Sequence, residues 1–363
     1  MSLKKNVIAN YLGQGWTALI GLIFVPIYID YLGMEAYGLI GVFTLLQSWL
    51  SILDMGMTPT LSREMARYTA GAHSAQSIRD LLRTLEWMCA AIAITIGVVI
   101  WFCSHWLSTH WLQAEKLPIE VISQAVSVMG LIIPLRFVES LYRGAIIGLQ
   151  KQVWLSMAGA ILATLRSGGA VFVLAKVSSS IEAFFLWQGA VSILTIAVFI
   201  ASTYRRLGIS HLTGRFSCRQ LKTIWRFAGG VMLTTLLSLL LMQLDKIILS
   251  RILSLEKFGY YTLAGTVAGA LCQIMAPITQ AYYPRFTELV TQGNTAGLIK
   301  IYHQSAQLIS VLIIPATLML VFFGNKILLV WTGNPLLAQN VTPLLALLAL
   351  GTMFNGFMNI PYM

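Results

Sequence analysis

The chain has 363 residues, of which 57% are hydrophobic and only 10% charged, against roughly 25% charged in soluble domains. The apolar residues form blocks such as Met88–Phe102 and Leu308–Phe323 that are apolar on nearly every side, which excludes a soluble globular fold with periodic apolar stripes. The formal charge of +11 follows the membrane topology set out below and does not mark a nucleic-acid-binding surface; no nucleic-acid partner is expected.

Ten spans are predicted in chain order, at 7–29, 38–58, 85–107, 120–142, 153–176, 182–203, 227–250, 260–281, 305–323 and 342–360. The fold class is therefore an all-α polytopic membrane protein. The first span carries Asn10 and Gln14 and lacks a small-x-small site, so it reads as a span rather than a cleavable signal. Pro26, Pro134, Pro277 and Pro315 fall inside spans, where neighbouring helices can re-satisfy the freed backbone groups, and they predict kinks. Cys89, Cys103, Cys218 and Cys272 show no metal-ligand spacing, and neither a metal nor a cofactor is expected.

Basic residues sort to one side. Lys4, Lys5, Arg63, Arg67, Arg79, Arg83, Arg143, Lys151, Arg205, Arg206, Arg215, Arg219, Lys222, Arg226, Arg285 and Lys300 lie on the N-terminal side. The opposite side has only Lys116, Lys176, Arg251, Lys257 and Lys326. By the positive-inside rule both termini are expected in the cytoplasm.

The sequence also echoes itself. Tyr31–Leu39 reads YLGMEAYGL and Ile252–Tyr260 reads ILSLEKFGY, so that Leu32, Glu35 and Gly38 match Leu253, Glu256 and Gly259. Arg63 and Arg285 form a second, fainter match. Each copy joins two spans on the outer face, and an even number of spans separates them. That pattern is a parallel repeat, with a binding site expected between two bundles. The expected domains are a six-helix lobe at 1–203, a basic cytoplasmic linker at 204–226 and a four-helix partial lobe at 227–363. Leu221, Ile224 and Trp225 with Arg219, Lys222 and Arg226 suggest that the linker is a short surface-lying helix. If the repeat closes, partners for the fifth and sixth spans would lie beyond Met363, and the chain is expected to be part of a longer protein.

The opening Lys4-Lys5-Asn6 with Asn10, Gly13 and Pro26 resembles the start of O-antigen and capsular polysaccharide flippases. So do LGMEAYGL at 32–39, Leu53-Asp54-Met55-Gly56 leading to Ser62-Arg63, and the stretch from Phe216 to Ala264 with Asp245-Lys246-Ile247 and Gly259-Tyr260-Tyr261. The resemblance covers nearly the whole chain and rests on the order of these loose motifs. It implies a two-lobe transporter of twelve or more helices, in the superfamily that includes multidrug extruders and lipid II flippases. The implied cargo is a polyprenyl-pyrophosphate-linked oligosaccharide, moved across the bacterial inner membrane for O-antigen or capsule synthesis. Membrane lipid, a polysaccharide polymerase and a chain-length regulator are the implied partners.

Such cargo needs a polar, preferably cationic path, and charges inside spans are expensive enough to be functional candidates. Arg136, Glu139 and Arg143 share one face of the fourth span, with Glu139 placed four residues before Arg143 as in a helical ion pair. This stripe either attracts an anion, with Arg136 as pyrophosphate ligand, or locks helices together. Arg166 lies deep in the fifth span beside Ser167, Gly168 and Gly169, which permit close helix approach. It is either a cavity-facing ligand or the partner of a carboxylate. Asp54, Asp245 and Lys246 are candidates for coupling to H⁺ or Na⁺, or simply fix helix ends. Asn10, Gln14 and Gln243 could meet sugar hydroxyls or bond between helices. The tryptophans, among them Trp49, Trp106, Trp111 and Trp187, read as interface-belt or packing residues. A drug extruder of the same superfamily remains the alternative, although deep arginines favour anionic cargo. An enzyme is disfavoured, because the outer loops are short and carry no catalytic cluster.

Overall fold

The computed structural model describes residues 3–54, 56–69, 71, 74–207, 236–238 and 240–361. Among them no strand forms, and the chain runs as successive helices. These are α1 (Leu3–Leu32), α2 (Met34–Leu50), α3 (Met57–Thr69), α4 (Ala75–Trp106), α5 (Ile119–Gly148), α6 (Gln152–Lys176) and α7 (Ile181–Arg206). They continue as α8 (240–252), α9 (Leu255–Thr291), α10 (Thr295–Thr332) and α11 (Pro335–Met358).

Eight of the ten predicted spans fall on described helices, the seventh (227–250) lies partly outside the described residues, and seven described helices are long and apolar enough to cross a membrane. Large apolar side chains on their flanks point away from the protein: Phe102 is 72% exposed, Phe322 75% and Val330 87%. In water such surfaces would be a liability; in a bilayer they face acyl chains, and the backbone polar groups are satisfied within each helix. The linker predicted at 204–226 lies almost wholly outside the described residues, apart from the end of α7 and Leu207.

One predicted span needs correction. The second does not continue to residue 58; α2 stops at Leu50 and passes through a 3₁₀ turn at Ser51–Asp54. Gly56 then adopts a left-handed φ of 75°, and a separate amphipathic helix, α3, begins. Its Met57, Leu61 and Met65 pack against Leu81, Leu82 and Leu85 of α4 and Leu141, Ala145 and Ile146 of α5. The contact is close because Gly148 lacks a side chain; a Cβ there would lie 2.2 Å from the Ser62 carbonyl oxygen.

Contacts divide the described chain into two units. One holds Met1–Ile20 and Ile27–Phe258, the other Gly21–Pro26 and Gly259–Met363. In the first, α5 is the hub, packing on α3, α4 and α7. Polar caps set the helix starts: Ser74 accepts from the Ser77 N–H and Ser180 from the Ala183 N–H. In the second unit α10 and α11 pair closely. Their turn reads Gly333-Asn334-Pro335: a left-handed glycine ends α10, Asn334 caps α11 and Pro335 opens it. Met275, Phe286, Ile309, Ile313 and Ile360 form that unit's core.

Candidate functional site

Four helices of the first unit bring polar side chains together: the last turn of α2 and the interiors of α5, α6 and α7. Arg136 of α5 donates through Nη1 to Gln47 Oε1 of α2 at 2.8 Å and through Nη2 to Gln188 Oε1 of α7 at 2.9 Å. Its guanidinium also lies over the Phe43 ring, 4.8 Å from the centroid. All these partners are neutral, so the charge is oriented without being cancelled. Its Nε has no partner among the described residues.

Arg166 of α6 takes a different partner. Its Nη2 lies 3.3 Å from Glu139 Oε2 of α5 and 3.5 Å from the Thr195 hydroxyl of α7. The sequence expectation of a Glu139–Arg143 pair is thereby corrected. Glu139 reaches across to α6, whereas Arg143 is exposed and stands outside the cluster. Interhelical packing holds the pair in place. The Trp187 indole fills the space left by Gly169, where a Cβ would come 2.2 Å from Cζ2, and its Nε1 donates to the Leu165 carbonyl at 3.3 Å. Tyr28 of α1 donates to the Ser167 carbonyl at 3.1 Å.

Two arginines and one carboxylate therefore share this cluster of polar groups. The Arg166 Nε and the buried Ser192 hydroxyl of α7 also lack partners among the described residues. Unpartnered buried donors around an excess positive charge are chemically suited to an anion carrying several acceptor oxygens. Reading the sequence for charges missed Gln47, Gln188, Ser192 and Thr195. The last three recur at i, i+4 and i+7 on α7, a polar stripe that could have been found.

The remaining candidates lie elsewhere. Asp54 accepts from the Thr58 hydroxyl at 2.6 Å and from its N–H at 3.2 Å, which fixes the start of α3. Asp245, Lys246 and Gln243 sit on α8, Asp245 exposed and the other two half-buried. Gln14 is exposed on α1, and the Asn10 side chain lies outside the described residues.

A second polar cluster, unforeseen from sequence, ties together α4, α5 and α7. Glu86 Oε1 accepts from the hydroxyls of Tyr142 and Tyr204, each at 2.7 Å, while Oε2 pairs with Arg83 at 3.0 Å. With every carboxylate oxygen engaged, this is a structural knot.

Comparison with known proteins places these helices in a family. Residues 3–290 match the model of a family described as polysaccharide biosynthesis protein. A protein provisionally named O-antigen transporter in Shigella flexneri is 21% identical over 100% of this chain and 84% of its own length. Among solved structures, the lipid II flippase MurJ in an inward closed conformation matches 97% of this chain and 74% of its own, with a TM-score of 0.73 at 13% identity. An inward-facing multidrug resistance MATE family transporter of the MOP superfamily matches 95% and 81%, with a TM-score of 0.68 at 14% identity. At such identities the structural matches establish a shared fold.

Proposed function

Because this chain belongs to the polysaccharide biosynthesis protein family, whose model covers most of it, we propose that it flips a polyprenyl-pyrophosphate-linked oligosaccharide across the bacterial inner membrane by alternating access. Its relatives are named as transporters and a flippase, so the chemistry to be explained is binding and release, not bond cleavage. The observation that carries the reading is Arg136. A half-buried guanidinium inside a spanning helix, held by two amide oxygens and a ring face, is a cation kept ready for an anion.

In this reading the diphosphate meets Arg136 and competes with Glu139 for Arg166. The polar stripe of Gln188, Ser192 and Thr195 supplies hydroxyl and amide partners, and the prenyl tail stays in lipid. Coupling to a proton or sodium gradient belongs to the same proposal, with Asp54 and Asp245 the first carboxylates to test. A drug extruder on this fold would be expected to place carboxylates, not a surplus of arginines, inside its spans.

The test is a deletion strain restored with the full-length gene or an empty vector. Loss of surface polymer, with single lipid-linked units accumulating on the cytoplasmic side, supports the flippase. Normal surface polysaccharide in a strain without a redundant flippase contradicts it.

A further inference from the structure

The two copies of the repeated motif converge on one loop. Each copy crosses a helix junction, and its glutamate falls in the first turn of the helix that follows: Glu35 in α2 and Glu256 in α9. Between α4 and α5 the chain makes a π-helical turn at Leu107–Trp111 and then an irregular stretch through residues 112–118. Both glutamates reach this stretch, yet they hold it in different ways.

Glu35 is only 4% exposed and accepts three successive backbone N–H groups: Glu115 at 2.6 Å, Lys116 at 2.9 Å and Leu117 at 3.1 Å. Consecutive N–H groups form a concave anion site, and here a carboxylate of the same chain fills it. Releasing it would strand three donors and a buried charge.

Glu256 instead meets the side chain of Lys116, an exposed ion pair of the kind that contributes little and re-forms easily. Further links between this region and the α8–α9 junction include the Arg251 guanidinium over the Trp111 ring, 5.4 Å from its centroid, and three individual hydrogen bonds. The Leu255 N–H donates to the Gln113 carbonyl at 2.8 Å, Gln113 Nε2 to the Arg251 carbonyl at 3.1 Å, and Trp111 Nε1 to the Ser250 hydroxyl at 3.1 Å. Trp111, Leu112 and Ser250 also border an apolar cavity of about 240 Å³, whose lining includes Trp49, Trp106 and Ile247 of α8.

We propose that residues 112–118 form a latch bordering this cavity, anchored to the α1–α2 junction by Glu35 and released from the α8–α9 junction by breaking Lys116–Glu256 and the Gln113 bonds. The inference rests on the transporter reading and on the charge distribution that assigns this face to the outside. When the latch lifts, the loop moves with α2, α8 separates from it, and the cavity opens.

The test uses the full chain with its native cysteines replaced. Gln113 and Ser254 bridge as neighbouring backbones, so Gln113→Cys with Ser254→Cys can be oxidised to pin the latch. Oxidation, followed as loss of maleimide labelling, is expected to stop transport, and reduction to restore it. A separate Ile247→Cys reporter is labelled from outside with a membrane-impermeant maleimide. Glu256→Gln is expected to raise its labelling rate at least about threefold. Full transport with the disulfide formed, or an unchanged labelling rate in Glu256→Gln, overturns the latch. Labelling needs no substrate, so this outcome is separate from the cargo assignment; normal labelling without lipid-linked oligosaccharide transport would contradict the flippase reading instead.

Discussion

Glu139 of α5 and Arg166 of α6 form an ion pair across two helices, Oε2 to Nη2 at 3.3 Å, with side chains 16% and 22% exposed. That pair leaves Arg136, one turn earlier on α5, as the cation with neutral partners. The two arginines are thus unlike: one is balanced by a carboxylate and the other is held only by amides and a ring. The proposed division of labour follows from this difference.

Arg136→Lys keeps a positive charge but cannot reach Gln47 and Gln188 together as a planar fork does. Transport in cells should fall at least about tenfold, the equivalent of ~1.4 kcal/mol. Arg136→Gln should abolish it. Folded protein should be recovered in both cases, as judged by size-exclusion profile.

Removing one member of the Glu139–Arg166 pair strands the other. Arg166→Ala alone should therefore destabilise by about 3 kcal/mol, the usual order for an uncompensated buried charge. Adding Glu139→Ala should recover most of the melting temperature. If Arg166 also contacts the diphosphate, the double variant will be stable and still inactive. A stable double variant with normal transport would make the pair purely structural.

At the α3–α5 contact, Gly148→Ala must push Ser62 backbone aside and should cost about 1–3 kcal/mol by overpacking. Gly159 on α6 has open space around its Cβ position. Gly159→Ala should be neutral or stabilise by up to about 1 kcal/mol through helix propensity. Thermal unfolding in one detergent compares the two directly.

Glu86→Ala leaves the hydroxyls of Tyr142 and Tyr204 without their acceptor. A loss of about 1–3 kcal/mol is expected, while the substrate dependence of transport stays that of the parent. Adding Tyr142→Phe should recover part of the loss, which the melting temperature again reports.

The membrane class and most helices were legible because apolar blocks of spanning length leave little choice of structure. α3 was not legible as a separate helix. Its apolar residues Met57, Leu61 and Met65 follow directly on an apolar span, and only the break at Ser51–Gly56 divides them. Arg136, Glu139 and Arg166 stood out as charges in spans, but their partners did not. Gln47 and Gln188 are uncharged, and only the packing of α2, α5 and α7 brings them to one guanidinium. Glu35 was visible as part of a repeat, whereas its bonds go to a loop some eighty residues away.

The most direct measurement places the purified full-length protein in proteoliposomes and follows transbilayer movement of two lipids with the same oligosaccharide and prenyl chain. One is joined through a diphosphate and the other through a neutral linker. The account predicts flipping of the diphosphate form alone, lost in Arg136→Gln. Equal flipping of both lipids, or full activity in Arg136→Gln, would contradict it.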